Sequence, residues 1–160
     1  MIVLGVDPGS RITGYGLLQK KNNVIKSIAS GTIESPGSVP FYDRIFKIFT
    51  CMVDIMEQYK PDEMAIEDVF FAKNVKSSMK LGHARGAALI ASVKCNVQLY
   101  EYTPLEIKQS VVGYGRATKD QVRDMVQMIL SLPTKLGPDT SDAIAAGICH
   151  LNWTRYEKKK

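Results

Sequence analysis

Histidine, cysteine and tryptophan are scarce in this 160-residue sequence, with two, three and one of each. Cys51, Cys95 and Cys149 lie 44 and 54 positions apart, a spacing that fits neither a zinc knuckle nor a C-x-x-C redox pair. An odd count argues against a disulfide scaffold, so the expected home is a reducing cytoplasm. His83 and His150 are too isolated for a zinc site and read as ordinary surface or satisfied histidines. No apolar run approaches the ~20 residues of a membrane span. The first one, residues 2–6, stops at Asp7-Pro8 with no basic segment before it, so no signal peptide is expected. Internal repeats and low-complexity tracts are absent. Neither G-x-S-x-G nor a Cys–His arrangement offers a covalent nucleophile.

What is present is an ordinary globular composition, 45% hydrophobic and 23% charged, in a length that suits one domain. Residues 1–156 read as that domain and 157–160 as a short basic tail. The net charge of +5 is unevenly placed. Residues 69–100 hold Lys73, Lys76, Lys80, Arg85 and Lys94 without an acid; residues 107–119 add Lys108, Arg116 and Lys119, again without one. Clustered positive charge is the footprint of a polyanion, most often nucleic acid. On charge alone, a merely solvated face stays equally open.

The apolar pattern predicts strands at 2–6, 13–18 and 24–33, the last two joined by the polar turn Lys20-Lys21-Asn22-Asn23. A helix over about 40–59, a strand over 63–67, a helix over 73–94 and a strand over 97–102 follow. Thr103-Pro104-Leu105-Glu106 starts a helix with a capping box. Two more helices should start at Thr118 and Pro138. This order predicts an α/β fold: a five-stranded mixed sheet, antiparallel meander plus parallel strands, with helices on both faces. Crossover handedness places the fourth strand beside the first, making Asp7 and Glu67 neighbours.

Asp7 alone would be read as a turn former, and Asp139 and Asp142 as acids complementing a helix dipole. Four carboxylates from three separated segments suit a different use. Like charges held together raise each other's pKa, a cost that a cation offsets. All-oxygen donors favour Mg²⁺ or Mn²⁺ over zinc, and two such ions would clamp phosphodiester hydrolysis. Strand alternation sends Glu67 and Asp68 to opposite faces, so only one of them belongs to such a site. Gly9-Ser10-Arg11-Ile12-Thr13-Gly14 has phosphate-loop spacing but lacks the Lys-Ser/Thr that must follow. The Asp-x-Gly turn also resembles that of actin-like ATPases, whose second lobe this length cannot supply.

The stretches 5–16 (GVDPGSRITGYG), 65–74 (AIEDVFFAKN), 80–86 (KLGHARG), 108–113 (KQSVVG) and 139–143 (DTSDA) resemble the RuvC family of Holliday junction resolvases. The resemblance implies an RNase H-like fold and a homodimer. It further implies Mg²⁺-dependent, paired symmetric nicking of four-way DNA junctions in homologous recombination and repair, with a RuvA–RuvB branch-migration complex as a partner. Its catalytic, metal-binding acids fall on Asp7, Glu67, Asp139 and Asp142. Lys108 and Lys119 match basic positions near them, and Phe70 matches an aromatic that reaches the crossover. Lys73, Lys76, Lys80 and Arg116 are then expected to contact DNA phosphates. Gly82 and Gly86 share a helix face with Val75, Met79, Ile90 and Val93. That face packs either on its own sheet or on a second subunit, and the resemblance favours the second. Other expectations remain open at this point: a different RNase H-like nuclease, acting on RNA–DNA hybrid or other branched DNA, or a non-catalytic junction-binding protein.

Overall fold

The computed structural model describes residues 1–68 and 74–157, with side chains as far as Trp153. In chain order the elements are β1 (Ile2–Asp7), β2 (Ile12–Lys21), β3 (Val24–Glu34), α1 (Phe41–Tyr59), β4 (Glu63–Glu67), α2 (Val75–Lys94), β5 (Gln98–Tyr102), α3 (Pro104–Val112), α4 (Lys119–Leu130) and α5 (Pro138–Glu157). The strands form one sheet in the order β3-β2-β1-β4-β5. β1, β2 and β3 are antiparallel neighbours, while β4 runs parallel to β1 and β5 parallel to β4. The expected mixed sheet forms, with β4 beside β1.

Asn22 and Asn23 both adopt positive φ, 48° and 66°, the two-residue hairpin geometry that matches strand twist. Pairing therefore continues to Lys21 on one side and begins at Val24 on the other. β2 is longer than its apolar pattern because backbone hydrogen bonds carry a ladder through polar residues as readily as through apolar ones. The other boundaries shift by a residue or two.

Alternation along β1 divides the core. Leu4 and Val6 join Leu17, Met64 and Ile66 beneath α1 and α2. Val3 points the other way, with Leu18 and Ala65, beneath α3, α4 and α5. Helices thus cover both faces. α5 is buried on nearly every side from Ala143 to Leu151, because it is wedged between the sheet and α3 and α4. Thr103 with Glu106 and Thr118 with Gln121 close two capping boxes, so α3 and α4 begin where expected.

α2 is capped by Asn74, whose side chain accepts from the backbone N–H groups of Lys76 and Ser77. Its buried side is a row of alanines at 84, 87, 88 and 91. Met79, Ile90 and Val93 face outward, and nothing lies within 4 Å of where a Cβ at Gly82 or Gly86 would stand. Packing of that glycine face on its own sheet is therefore ruled out. His83 lines the same outer groove edge-on to Phe41.

Candidate active site

Asp7 ends β1 and Glu67 ends β4, two adjacent parallel strands. By alternation both side chains take the α5 face: Asp7 follows Val3 and Gly5, and Glu67 follows Glu63 and Ala65. The helix that brings the remaining acids is seated by glycine. A Cβ on Gly5 would lie 2.0 Å from the Ala143 carbonyl oxygen, and one on Gly14 would lie 2.1 Å from that of Asp139. Only hydrogen fits at either place. Since Gly14 pairs with Asp7 across the β1–β2 ladder, the first turn of α5 lands beside the β1 carboxylate, carrying Asp139 and Asp142.

The charges respond as such a cluster should. Burial first, then the carboxylates of Asp142 and Glu67, push the Asp7 carboxyl up to about 7, against the pull of Lys119. Asp139 adds the smallest push. Burial and then Asp142 raise Glu67, while Lys119 and Lys108 lower it. Lys119, at the start of α4, places Nζ 2.7 Å from Asp142 Oδ2, and this bond is the main reason its own pKa rises. Asp7, Glu67 and Asp142 thus form the coupled centre, with Asp139 at its edge. Beside it lies a cavity of about 40 Å³ lined by Glu67, Lys108, Lys119 and Asp142. That volume suits water and small ions, not a nucleotide.

Asp68 lies on the opposite face of the sheet, paired with Arg85, so of the two only Glu67 faces the acid cluster. Lys76, Lys80 and Arg116 are exposed, on the start of α2 and on the α3–α4 loop. Phe70 and Lys73 lie outside the described residues. The Lys119–Asp142 bond had no sequence signal, because 23 positions separate the partners. Nor did the buried chain in which His150 bridges Tyr102 and Glu63, at 2.6 Å on each side; it pins the middle of α5 to β4 and β5. Cys149 is buried and its thiol is pushed up to about 11, chiefly by that burial, which leaves no reactive thiolate at neutral pH.

The donor set is all carboxylate, and its mutual repulsion is the condition a divalent cation relieves. It fits hard, oxygen-preferring ions. Among the described residues no three His, Cys, Asp or Glu side chains already converge as a metal cage.

The family model for crossover junction endodeoxyribonuclease RuvC matches residues 3–150. The chain belongs to this family. A RuvC of Citrifermentans bemidjiense is 48% identical over 152 residues, covering 95% of this chain and 93% of that one. A RuvC of Halothermothrix orenii is 46% identical over 160 residues, covering 99% and 97%. Among solved structures, T. thermophilus RuvC in complex with a Holliday junction substrate superposes with a TM-score of 0.93 at 29% identity, covering 98% of this chain and 96% of that one. RuvC proteins are metal-dependent nucleases, and the RNase H-like sheet of this chain is theirs. The acid cluster at the carboxyl ends of β1 and β4 is therefore part of an endodeoxyribonuclease.

Proposed function

We propose that this RuvC-family enzyme resolves Holliday junctions by paired symmetric nicks, using Asp7, Glu67, Asp142 and Asp139 to hold two Mg²⁺ ions per subunit, with Mn²⁺ able to replace them. The observation that carries this reading is the electrostatic coupling of three carboxylates from β1, β4 and α5 beside two lysines. Bound divalent ions supply charge for the scissile phosphate and a water activated for attack. The acids orient that chemistry from rigid strand ends. Lys119 exchanges Asp142 for a phosphate oxygen when DNA arrives, and Lys108 stands ready to steady charge developing on the phosphate. Lys73, Lys76, Lys80 and Arg116 hold the backbone of the arms, and Phe70 stacks at the crossover to open it.

A four-way junction has two-fold character, and an isologous dimer would offer one acid cluster to each of two strands. The groove between α1 and α2 supplies an exposed apolar face for such a contact. Phe46 and Ile90 are 67% and 63% exposed there, Gly82 and Gly86 leave room for close approach, and a second copy of the chain is its occupant. Phe46→Asp should halve the solution mass measured by light scattering while leaving the melting temperature of the monomer nearly unchanged; an unchanged mass would remove this face from the dimer. A RuvA–RuvB branch-migration complex is a further partner consistent with this reading.

The deciding experiment incubates the protein with Mg²⁺ on an immobile four-way junction, a linear duplex and an RNA–DNA hybrid. Symmetric nicks in the junction alone are expected. Cutting of the hybrid or duplex would redirect the reading to another nuclease, and binding without cutting would reduce the acids to structure.

A further inference from the structure

Arg85 follows the fully buried Ala84 on α2 and reaches beneath the sheet to two carboxylates on neighbouring strands. Its Nη2 lies 2.7 Å from Glu101 Oε2 on β5 and 3.8 Å from Asp68 Oδ1, one residue past the end of β4. Both acids point toward α2, because they alternate with Tyr102 and Glu67, which point toward α5. The backbone N–H of Asp68 donates to the Tyr102 carbonyl at 2.7 Å, extending the β4–β5 pairing beyond Glu67. Asp68 is thus tied to β5 twice, once through its backbone and once through the guanidinium.

The arrangement does more than neutralise charge. Asp68 and Glu101 are about half exposed, at 42% and 46%, whereas the Arg85 side chain is only 18% exposed. Its Nε and Nη2 are buried without an aligned hydrogen-bond acceptor, so the short contact to Glu101 is an ion pair more than a hydrogen bond. A mostly buried cation with incompletely satisfied donors adds little net stability. It does fix the relation of α2, β5 and the end of β4. If it were removed, two carboxylates on one face of adjacent strands would repel each other next to Glu67.

We propose that Arg85 is a positioning residue: it clamps the end of β4 so that Glu67 stays aimed at Asp7 and Asp142, and it couples the groove-bearing helix α2 to the nuclease site. The inference rests on the functional reading above, and two readouts separate them. The first is hydrogen exchange at the Asp68 amide. Arg85→Met should accelerate it, with Arg85→Lys intermediate; unchanged exchange overturns the clamp whatever the nuclease assay shows. The second is single-turnover cleavage of a four-way junction at saturating enzyme with Mg²⁺. Arg85→Met should slow it by about 10- to 100-fold, the penalty of a small misplacement of a reacting group. Junction affinity in EDTA and melting temperature should stay close to wild type, and Arg85→Lys should recover part of the rate. The triple variant Arg85→Met, Asp68→Asn, Glu101→Gln removes the repulsion without restoring the clamp and should remain slow. A wild-type rate in Arg85→Met, or a loss that follows affinity or melting temperature, overturns the positioning role. A wild-type enzyme that leaves the junction uncut overturns the functional reading instead.

Discussion

On the α5 side of the sheet, Gly5, Gly14 and Gly147 bring a helix backbone against strand backbone, with no space for even a methyl group at Gly5 or Gly14. On the α1–α2 side an alanine row seats α2 while α1 packs through Ile48, Met52 and Met56, and Tyr42, Phe46, Met79 and Ile90 are left facing out. The first face trades side-chain volume for a fixed distance, because charged ligands work only when their separation is set. The second leaves an apolar surface exposed along α1 and α2, where no such spacing is imposed. Glycine serves opposite ends in the two places. Under α5 it permits contact within the chain; on α2 it leaves an open hollow on the outer face.

The largest effect should come from Asp142→Asn, which removes the carboxylate coupled to both Asp7 and Glu67. Cleavage should fall by at least the roughly 100-fold that loss of a metal ligand's support costs, while junction binding in EDTA survives or tightens, because phosphates are held by the lysines. Near-normal nicking would exclude Asp142 from the site. Gly5→Ala is next. Its methyl group must push α5 off β1, destabilising the fold by about 1–3 kcal/mol and slowing cleavage beyond what the loss of folded protein explains. A normal melting curve would show that the tight face is not tight.

Asp7→Asn tests the electrostatic side of the same face. The Asp7 carboxyl has a folded-state pKa of about 7 against an ordinary 3.8, so the native state holds the proton more tightly than the unfolded chain. Its ionisation therefore costs nothing below about pH 4, an increasing amount up to pH 7, and a constant amount above. In EDTA, Asp7→Asn should raise the melting temperature by about 3–8 °C at pH 8, and by almost nothing at pH 4. The same gain at both pH values would mean that ionising Asp7, buried first of all and flanked by Asp142 and Glu67, is not the cause. The smallest effect belongs to Gly86→Ala, which faces open space. Helix propensity should stabilise the monomer by up to ~1 kcal/mol, whereas self-association measured by sedimentation should weaken. A destabilised monomer would mean that the outer face of α2 is covered from within the chain.

Much of this was legible without coordinates. Ile2 to Val6 reads as a strand that ends in a turn at Asp7-Pro8, Thr103 and Thr118 announce their helices by side-chain caps, and alternation alone separates Glu67 from Asp68. These are local properties, written within a few residues of where they act. The glycine-bearing face of α2 was legible as a face but not as an inside or an outside. Val75, Met79, Gly82, Gly86 and Ile90 form a more hydrophobic stripe than the four alanines, yet the alanines are buried, because close approach of α2 to the sheet needs small side chains.

The sequence by itself determined the strands, the helix starts and the place of the fourth strand beside the first, since periodicity, capping and crossover handedness depend on neighbouring residues and chain chirality. Tertiary structure decided what stands against what. It laid the start of α5 on Gly14 beside Asp7, put Lys119 on Asp142 across 23 positions, and drew Asp68 and Glu101 together on Arg85. Those relations depend on distances between elements. Such distances are set by the volumes packed between the elements, and no stretch of sequence contains them.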